Sequence, residues 1–600
     1  NEMGKKIAAF LLTAAMVLAL LPMALAESNA ADTAEFQFLL SPHAPDGKVV
    51  AADLLLRATA VETVNGFQMS FNGSAKLTGA AIEGARTTAA SIGGDTIYWF
   101  TTAESDYFTV GTEYVKLATL EFSSDTQISD AWKEISVEDG SSTLTRDLFP
   151  AVAVAGKVNN QHVPAQIGSN HIHAADGGAG ELVYRPLKSG TYAALPTSGN
   201  FYLEGDITVT GNTAVPGRKT LNLCLNGHTI QYAQPEDTDA VRLFSVYGRL
   251  NVCSCCEQGQ AIAEYRTETG CSAGGSFASV NATGSAVAGI SVTNISFEDF
   301  RTADGGGVLR AFTGASEQTY AELNVSNCKF VNNYARFGGA AIYVQKYDKL
   351  FIQNSTFTQN ESGNASGGGG TVCLTGGALL QMSDSDFVNN HSTGHGGAVY
   401  AKNWVDGCFI QGGTFTQNAV SSTAAAKNRA GGAVCLFAAD SADAGFRIEG
   451  TEFIGNEATC GGAVSNGTSS ADSQGSLLLK DCTFRDNLAE TAANAVRAFS
   501  KQSTTLDHCT VSRQTDNSLA DVQARSGTLY IRNGNDIGDL LVTKGDRPTV
   551  DITLAAAEFK GDLTIGAGLT VTIHQNGFQG KLTGTVKNEG SIVWDPAQAE

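Results

Sequence analysis

The stretch Phe387-Val388-Asn389-Asn390-His391-Ser392-Thr393-Gly394-His395-Gly396-Gly397-Ala398-Val399-Tyr400 decides the fold, because its landmarks recur along the chain. They are an aromatic anchor, an asparagine three residues on, and a Gly-Gly-Ala-Val run. Eight segments align on anchors at Phe297, Phe330, Phe357, Phe387, Phe415, Phe453, Phe484 and Val511, with 27 to 38 residues between successive anchors. Three residues after the anchor stand Asn333, Asn360, Asn390, Asn418, Asn456 and Asn487. Further on, Gly396-Gly397-Ala398-Val399 is matched by Gly339-Ala340-Ala341-Ile342, Gly431-Gly432-Ala433-Val434 and Gly461-Gly462-Ala463-Val464.

Upstream of the anchor the pattern changes from identity to periodicity. Apolar pairs occupy the positions seven and five residues before it, as in Leu350 and Ile352, Leu380 and Met382, and Leu477 and Leu479. Residues two apart share one face of a strand, so these pairs face inward. Three residues before the anchor come Asn294, Asn327, Asn354, Asp384, Gly412, Gly450, Asp481 and His508. Most of these are residue types that tolerate a left-handed backbone, which predicts a bend at one register in every unit. A unit this short cannot bury its own apolar face and must stack on its neighbours. Stacking places like on like at ~4.8 Å, phenylalanine on phenylalanine and asparagine on asparagine, in parallel sheets. The leucine-rich pattern and the 3.6-residue helical period are both absent, which leaves a parallel β-helix.

These columns carry a resemblance. Phe-x-x-Asn followed by Gly-Gly-Ala-[Ile/Val] looks like the repeats of polymorphic outer-membrane and other adhesin-like β-helix proteins of the pectin-lyase-like superfamily. The run from Leu221 through Asn226-Gly227-His228-Thr229-Ile230 is similar to the opening coil of exported bacterial β-helix proteins. The resemblance implies a right-handed parallel β-helix, expected over residues 181–600. It leaves activity open, since that superfamily holds lyases, hydrolases, esterases and plain adhesins.

The preceding residues have another rhythm. Short alternating strands are expected at 49–56, 66–71, 96–100, 114–122 and 151–158, separated by Pro45-Asp46-Gly47, Asn72-Gly73 and Gly93-Gly94-Asp95. That is the pattern of a β-sandwich. Val64-Asn65-Gly66-Phe67-Gln68-Met69-Ser70-Phe71 and Val115-Lys116-Leu117-Ala118-Thr119-Leu120-Glu121-Phe122 resemble a cohesin-like domain, placed at residues 33–158. The fold class is therefore all-β, an N-terminal sandwich followed by a long β-helix. Residues 159–180 read as a linker, with His171 and His173 as neutral, solvated side chains. An i, i+2 pair on a strand would alternatively suit a metal.

At the N-terminus, Lys5-Lys6, an apolar run over 7–21, Pro22 and Ala24-Leu25-Ala26 predict a secretory signal over residues 1–26, cleaved after Ala26. An uncleaved anchor is the competing reading. The chain stops at Glu600 in strand-like sequence, which reads as a truncation. A net charge of −21 with no basic stripe excludes nucleic acid as a main partner.

Twelve cysteines in an exported chain suggest disulfides or packing thiols. Cys253, Cys255, Cys256 and Cys271 crowd into one stretch, but they lack the paired Cys-x2-Cys spacing of zinc sites, so metal is the lesser reading. No catalytic residue, metal or cofactor is expected. Polygalacturonase-like enzymes on this fold share four motifs. Only Gly394-His395-Gly396 matches one of them, and it does so because Gly396 begins the repeated Gly-Gly-Ala column. Asp386 and Glu452 share a register two coils apart, as a glycosidase pair would, yet that register points to solvent. Tyr343 and Tyr400 fall in one column with Cys373, Cys435, Ser465 and Arg497, where they would stack on sugar rings if they faced outward and pack if they did not. The widest anchor spacing adds a loop at 420–430, read either as a recognition loop or as a tolerated insertion. The expectation is a secreted or cell-surface, non-enzymatic binding protein that contacts an extracellular glycan or matrix protein. The alternatives are a polysaccharide lyase or hydrolase and a passive stalk.

Overall fold

The computed structural model describes residues 36–125 and 151–594 apart from interruptions, the longest being 234–241, 264–275 and 575–585. The expected signal, 1–26, and most of the 420–430 loop lie outside the described residues. Two compact units divide near Ile172 and His173.

The first unit contains two five-stranded sheets around one core. One orders Ala165–Ile167, Phe36–Pro42, Val49–Ala58, Val115–Ser123 and Lys76–Ile82; the other orders Gln161–Val163, Ala151–Val158, Gly66–Gly73, Thr96–Phe100 and Ser91–Gly93. Alternation makes the sandwich. Leu54, Leu56, Phe67, Met69, Trp99, Leu120 and Phe122 are buried, and Phe71 meets Phe122 edge-on at 5.0 Å across the sheets. The linker reading of 159–180 needs correction. Gln161–Val163 pairs antiparallel with Ala151–Val158, and Ala165–Ile167 pairs parallel with Phe36–Pro42. These strands are too short to show a hydrophobic period. Asn72 and Gly73, expected as a turn, continue the strand Gly66–Gly73.

The second unit is a parallel β-helix. A representative coil runs through four strands, Leu379–Ser383, Asp386–Val388, His391–Ser392 and Val399–Lys402. Each pairs in parallel with its counterparts one coil before and one coil after, for example Lys349–Gln353 and Cys408–Gln411 for the first. The two-residue strand His391–Ser392 is too short to leave a period in the sequence and is defined by its pairing with Glu361–Ser362 and Ala419–Val420.

The core is built as the columns demand. All the inward pairs are buried, Leu380 at 0 % and Met382 at 1 % exposure among them. The anchor rings stack face to face, with centroids 4.7 Å apart for Phe330–Phe357, 4.4 Å for Phe357–Phe387 and 4.8 Å for Phe387–Phe415. The bend falls where expected, and Asn294, Asn327, Asn354, Asp384, Gly412, Gly450, Asp481 and His508 all have positive φ between 46° and 67°. A second left-handed position follows two residues after the anchor, at Asn332, Gln359, Asn389, Gln417 and Asp486. Glutamine has no special preference for that conformation, so composition hid it.

Two glycines of the repeat have separate reasons. Gly396 has φ +69°, and at Gly397 a Cβ would lie 2.2 Å from the backbone oxygen of Gly432 in the next coil. The first needs a left-handed backbone and the second needs room for a neighbouring chain.

Candidate functional site

The outer face of the Val399–Lys402 ladder carries the residues singled out for chemistry. Register pairing runs Arg310, Tyr343, Cys373, Tyr400, Cys435, Ser465, Arg497 and Gln523 in one file. Most of that file is covered. Cys373, Tyr400, Cys435 and Cys460 form a second apolar cluster beside the main core. Tyr400 is only 3 % exposed, and a Cβ at Gly368 would sit 2.2 Å from its ring. Its proposed role in sugar stacking is therefore corrected: Gly368 lies against the ring, so Tyr400 is a packing residue. Cys373 and Cys435 are buried thiols, and desolvation pushes Cys373 up to about 12.

His395 is buried in the same layer at 7 % exposure. Its Nδ1 accepts the backbone N–H of Ala430 at 3.0 Å, which assigns the ring proton to Nε2. Burial, with help from Arg429 and Arg497, lowers its pKa to about 4. At neutral pH the ring is an uncharged acceptor committed to a backbone amide. Arg497 is also buried, donating to the sulfur of Cys460 at 3.1 Å, to Thr468 O at 2.7 Å and to Gln523 Oε1 at 3.0 Å.

Asp386 and Glu452 do share a register, with Thr414 between them. Asp386 Oδ1 accepts both N–H and Oγ1–H of Thr414, at 2.9 and 2.7 Å, which caps the next coil's strand. Glu452 lies 4.0 Å from Arg485 with half its side chain in solvent. One carboxylate is thus tied into a turn and the other forms a surface ion pair.

The accessible chemistry gathers at the start of the file. Tyr343 is half-buried, its Oη 3.2 Å from Thr375 Oγ1, and burial raises its pKa. Arg310 forms an ion pair with Asp304, and its guanidinium lies 4.9 Å from the Phe312 ring centroid and 6.0 Å from that of Tyr343. The backbone N–H of Phe337 donates to Asp304 O at 3.3 Å, and its ring, 50 % exposed, has the Arg336 guanidinium 5.4 Å from its centroid. Phe312 is 41 % and Tyr347 40 % exposed. Exposed rings beside an anchored Arg–Asp pair combine stacking faces with directional hydrogen bonding. Sequence reading named Tyr343 but not Asp304, Arg310, Phe312 or Phe337. Only Arg310 left a signal, standing one unit before Tyr343 in its column.

The cysteine-rich stretch also changes meaning. Among the described residues no disulfide joins the cysteines. Cys328, Cys408, Cys482 and Cys509 pack in the main core, while Cys253 and Cys255 meet Cys224 of the preceding coil and His173. His173 is a strand residue whose ring stacks on Tyr184 at 4.3 Å, which corrects its reading as a solvated linker side chain. Cys256 and Cys271 lie outside the described residues. No protein-family model matches this chain, and no curated protein matches it either.

Proposed function

We propose that this chain is a secreted or cell-surface binding protein whose β-helix presents a rigid outer patch, centred on Asp304, Arg310, Phe312, Phe337 and Tyr343, to an extracellular glycan. The observation that carries this reading is the exposure of Phe312, at the end of the strand Leu309–Phe312, beside an Arg310 that is already ion-paired, with a second exposed ring, Phe337, on the turn whose backbone bonds to Asp304. Rings already held at the surface lose little entropy on binding, and sugars present apolar C–H faces to such rings. The charged pair supplies donors and an acceptor for hydroxyl groups. No helix among the described residues is long and apolar enough to cross a membrane.

The test is a polysaccharide panel that measures both retention and release of reducing ends by the purified chain. Retention without cleavage, lost in Phe337→Ala, supports the reading. Cleavage would establish a lyase or hydrolase, and neither retention nor cleavage a passive stalk.

A further inference from the structure

We propose a tetrahedral zinc-class metal site at the N-terminal end of the β-helix, with Cys224, Cys253, Cys255 and His173 as its ligands. Its basis is a convergence that the sequence spacing conceals. Cys224 ends the strand Thr220–Cys224 and Cys253 ends the strand Arg249–Cys253 of the next coil, and parallel register sets them side by side. The inward residues of these strands are Leu221, Leu223, Leu250 and Val252. Both thiols therefore sit at the outer end of the ladder and do not join the core. His173, from the strand His171–Ala174, reaches the same point.

Two of the six edges such a tetrahedron needs are matched directly, and three of the four ligands converge as a group. Zinc bonds of ~2.3 Å to sulfur and ~2.0–2.1 Å to nitrogen require edges of about 3.8 Å between two sulfurs and about 3.5 Å between sulfur and nitrogen. The sulfurs of Cys224 and Cys255 are 3.5 Å apart, and the sulfur of Cys253 is 3.5 Å from His173 Nδ1. The ligand atoms of His173, Cys224 and Cys255 all lie within 4.8 Å of one another. A bonded disulfide needs ~2.05 Å, well short of the Cys224–Cys255 contact.

The frame around the ligands is preorganised. The N–H of Leu225 donates to Cys253 O at 2.7 Å, that of Gly227 to Ser254 Oγ at 2.8 Å, and Asn294 Nδ2 to Ser254 O at 2.9 Å. Cys253 and Ser254, just before Cys255, are thus held by the coils on either side. Three soft thiolates with one imidazole select zinc over the hard cations, which take oxygen ligands. Four protein ligands leave no open position, so the site is structural. Its effect is to fasten the strand His171–Ala174 to the first coils.

The experiment uses the full chain, reduced, stripped with chelator and then titrated with Zn²⁺ against a chromophoric competitor, and separately with Co²⁺. The expected result is one zinc per chain, a cobalt spectrum with tetrahedral d–d bands and thiolate charge-transfer bands, and a Tm that falls when zinc is removed. Cys224→Ser should weaken zinc binding by at least about 100-fold. His173→Gln should weaken binding and change the cobalt bands while all three thiolates remain. It carries the test if Cys224→Ser does not fold. Cys435→Ala, in the separate buried cluster, should bind as the parent does. Three results would overturn the site: no stoichiometric zinc, cobalt bands indifferent to both ligand variants, or peptide mapping of the unreduced chain that finds Cys224 disulfide-bonded to Cys253 or Cys255.

Discussion

Asn360 donates from Nδ2 to Oδ1 of Asn390 at 2.9 Å, and the same oxygen accepts the backbone N–H of Asn360 at 3.0 Å. Asn390 in turn donates to Asn418 Oδ1 and to Phe357 O, both at 2.9 Å. Each amide in the file therefore serves two coils in both directions while fully buried. The file begins where Asn333 Oδ1 accepts the N–H of Phe300, the residue that holds the asparagine position in the first coil. Asparagine is the side chain of this length that both accepts twice and donates twice, so the column tolerates no substitute.

Asn390→Ala would leave the Asn360 amide groups, the Asn418 oxygen and the Phe357 carbonyl short of partners in a dry layer. At ~1–3 kcal/mol for each stranded group, the loss should reach about 4 kcal/mol. Urea titration of the variant checks it. A loss below about 1 kcal/mol would show that the ladder does not hold the coils. Asn390→Asp should be at least as damaging, because a carboxylate accepts but cannot donate to Phe357 O.

Phe357→Ala removes a ring stacked on both sides, at 4.7 Å from Phe330 and 4.4 Å from Phe387. The neighbours are fixed by their own strands and cannot close the gap, so the cavity should cost ~3–5 kcal/mol. Phe357→Leu, which restores most of the volume, should recover more than half of that in the same titration.

His395 gives the fold an acid sensitivity. Its folded pKa of about 4 lies below the ordinary value of 6.5, so the unfolded chain binds a proton first. The stability contributed by the neutral ring is whole above about 6.5 and is lost as pH falls towards 4. Between pH 7 and 4.5 the loss is on the order of 2 kcal/mol. His395→Asn keeps an acceptor for Ala430 N–H without the titration. Its stability should fall less over that range than the parent's, and parallel pH profiles would refute the assignment.

Asp386→Asn and Phe337→Ala separate turn from surface. Asp386→Asn weakens a charge-assisted hydrogen bond to Thr414 and should cost ~1 kcal/mol while leaving retention on a glycan unchanged. Phe337→Ala should leave Tm within about 2 °C and weaken retention about tenfold, a difference that affinity electrophoresis resolves.

The repeat was legible because each column answers to a local constraint that only a few residue types meet. A ring must stack on rings, an amide must bridge amides, and a left-handed bend admits few side chains. Such constraints survive loops of any length between them, and so Phe357, Asn390 and Asp384 were placed from sequence and found in place. Tyr400 was not, since inward or outward at its position depends on whether Gly368 lies against its ring.

Sequence by itself thus determined an all-β chain of stacked coils, its inward faces and its bends, because those follow from period and residue type. Tertiary structure alone decided what meets across coils from segments of unrelated sequence. His173 reaches Cys224 and Cys255 through a strand without a pattern, and Phe337 and Arg310 both bond to Asp304, one through its backbone oxygen and the other through its carboxylate. The spacing between such residues is set by loop lengths that stacking leaves free, so no fixed interval in the chain could announce either cluster.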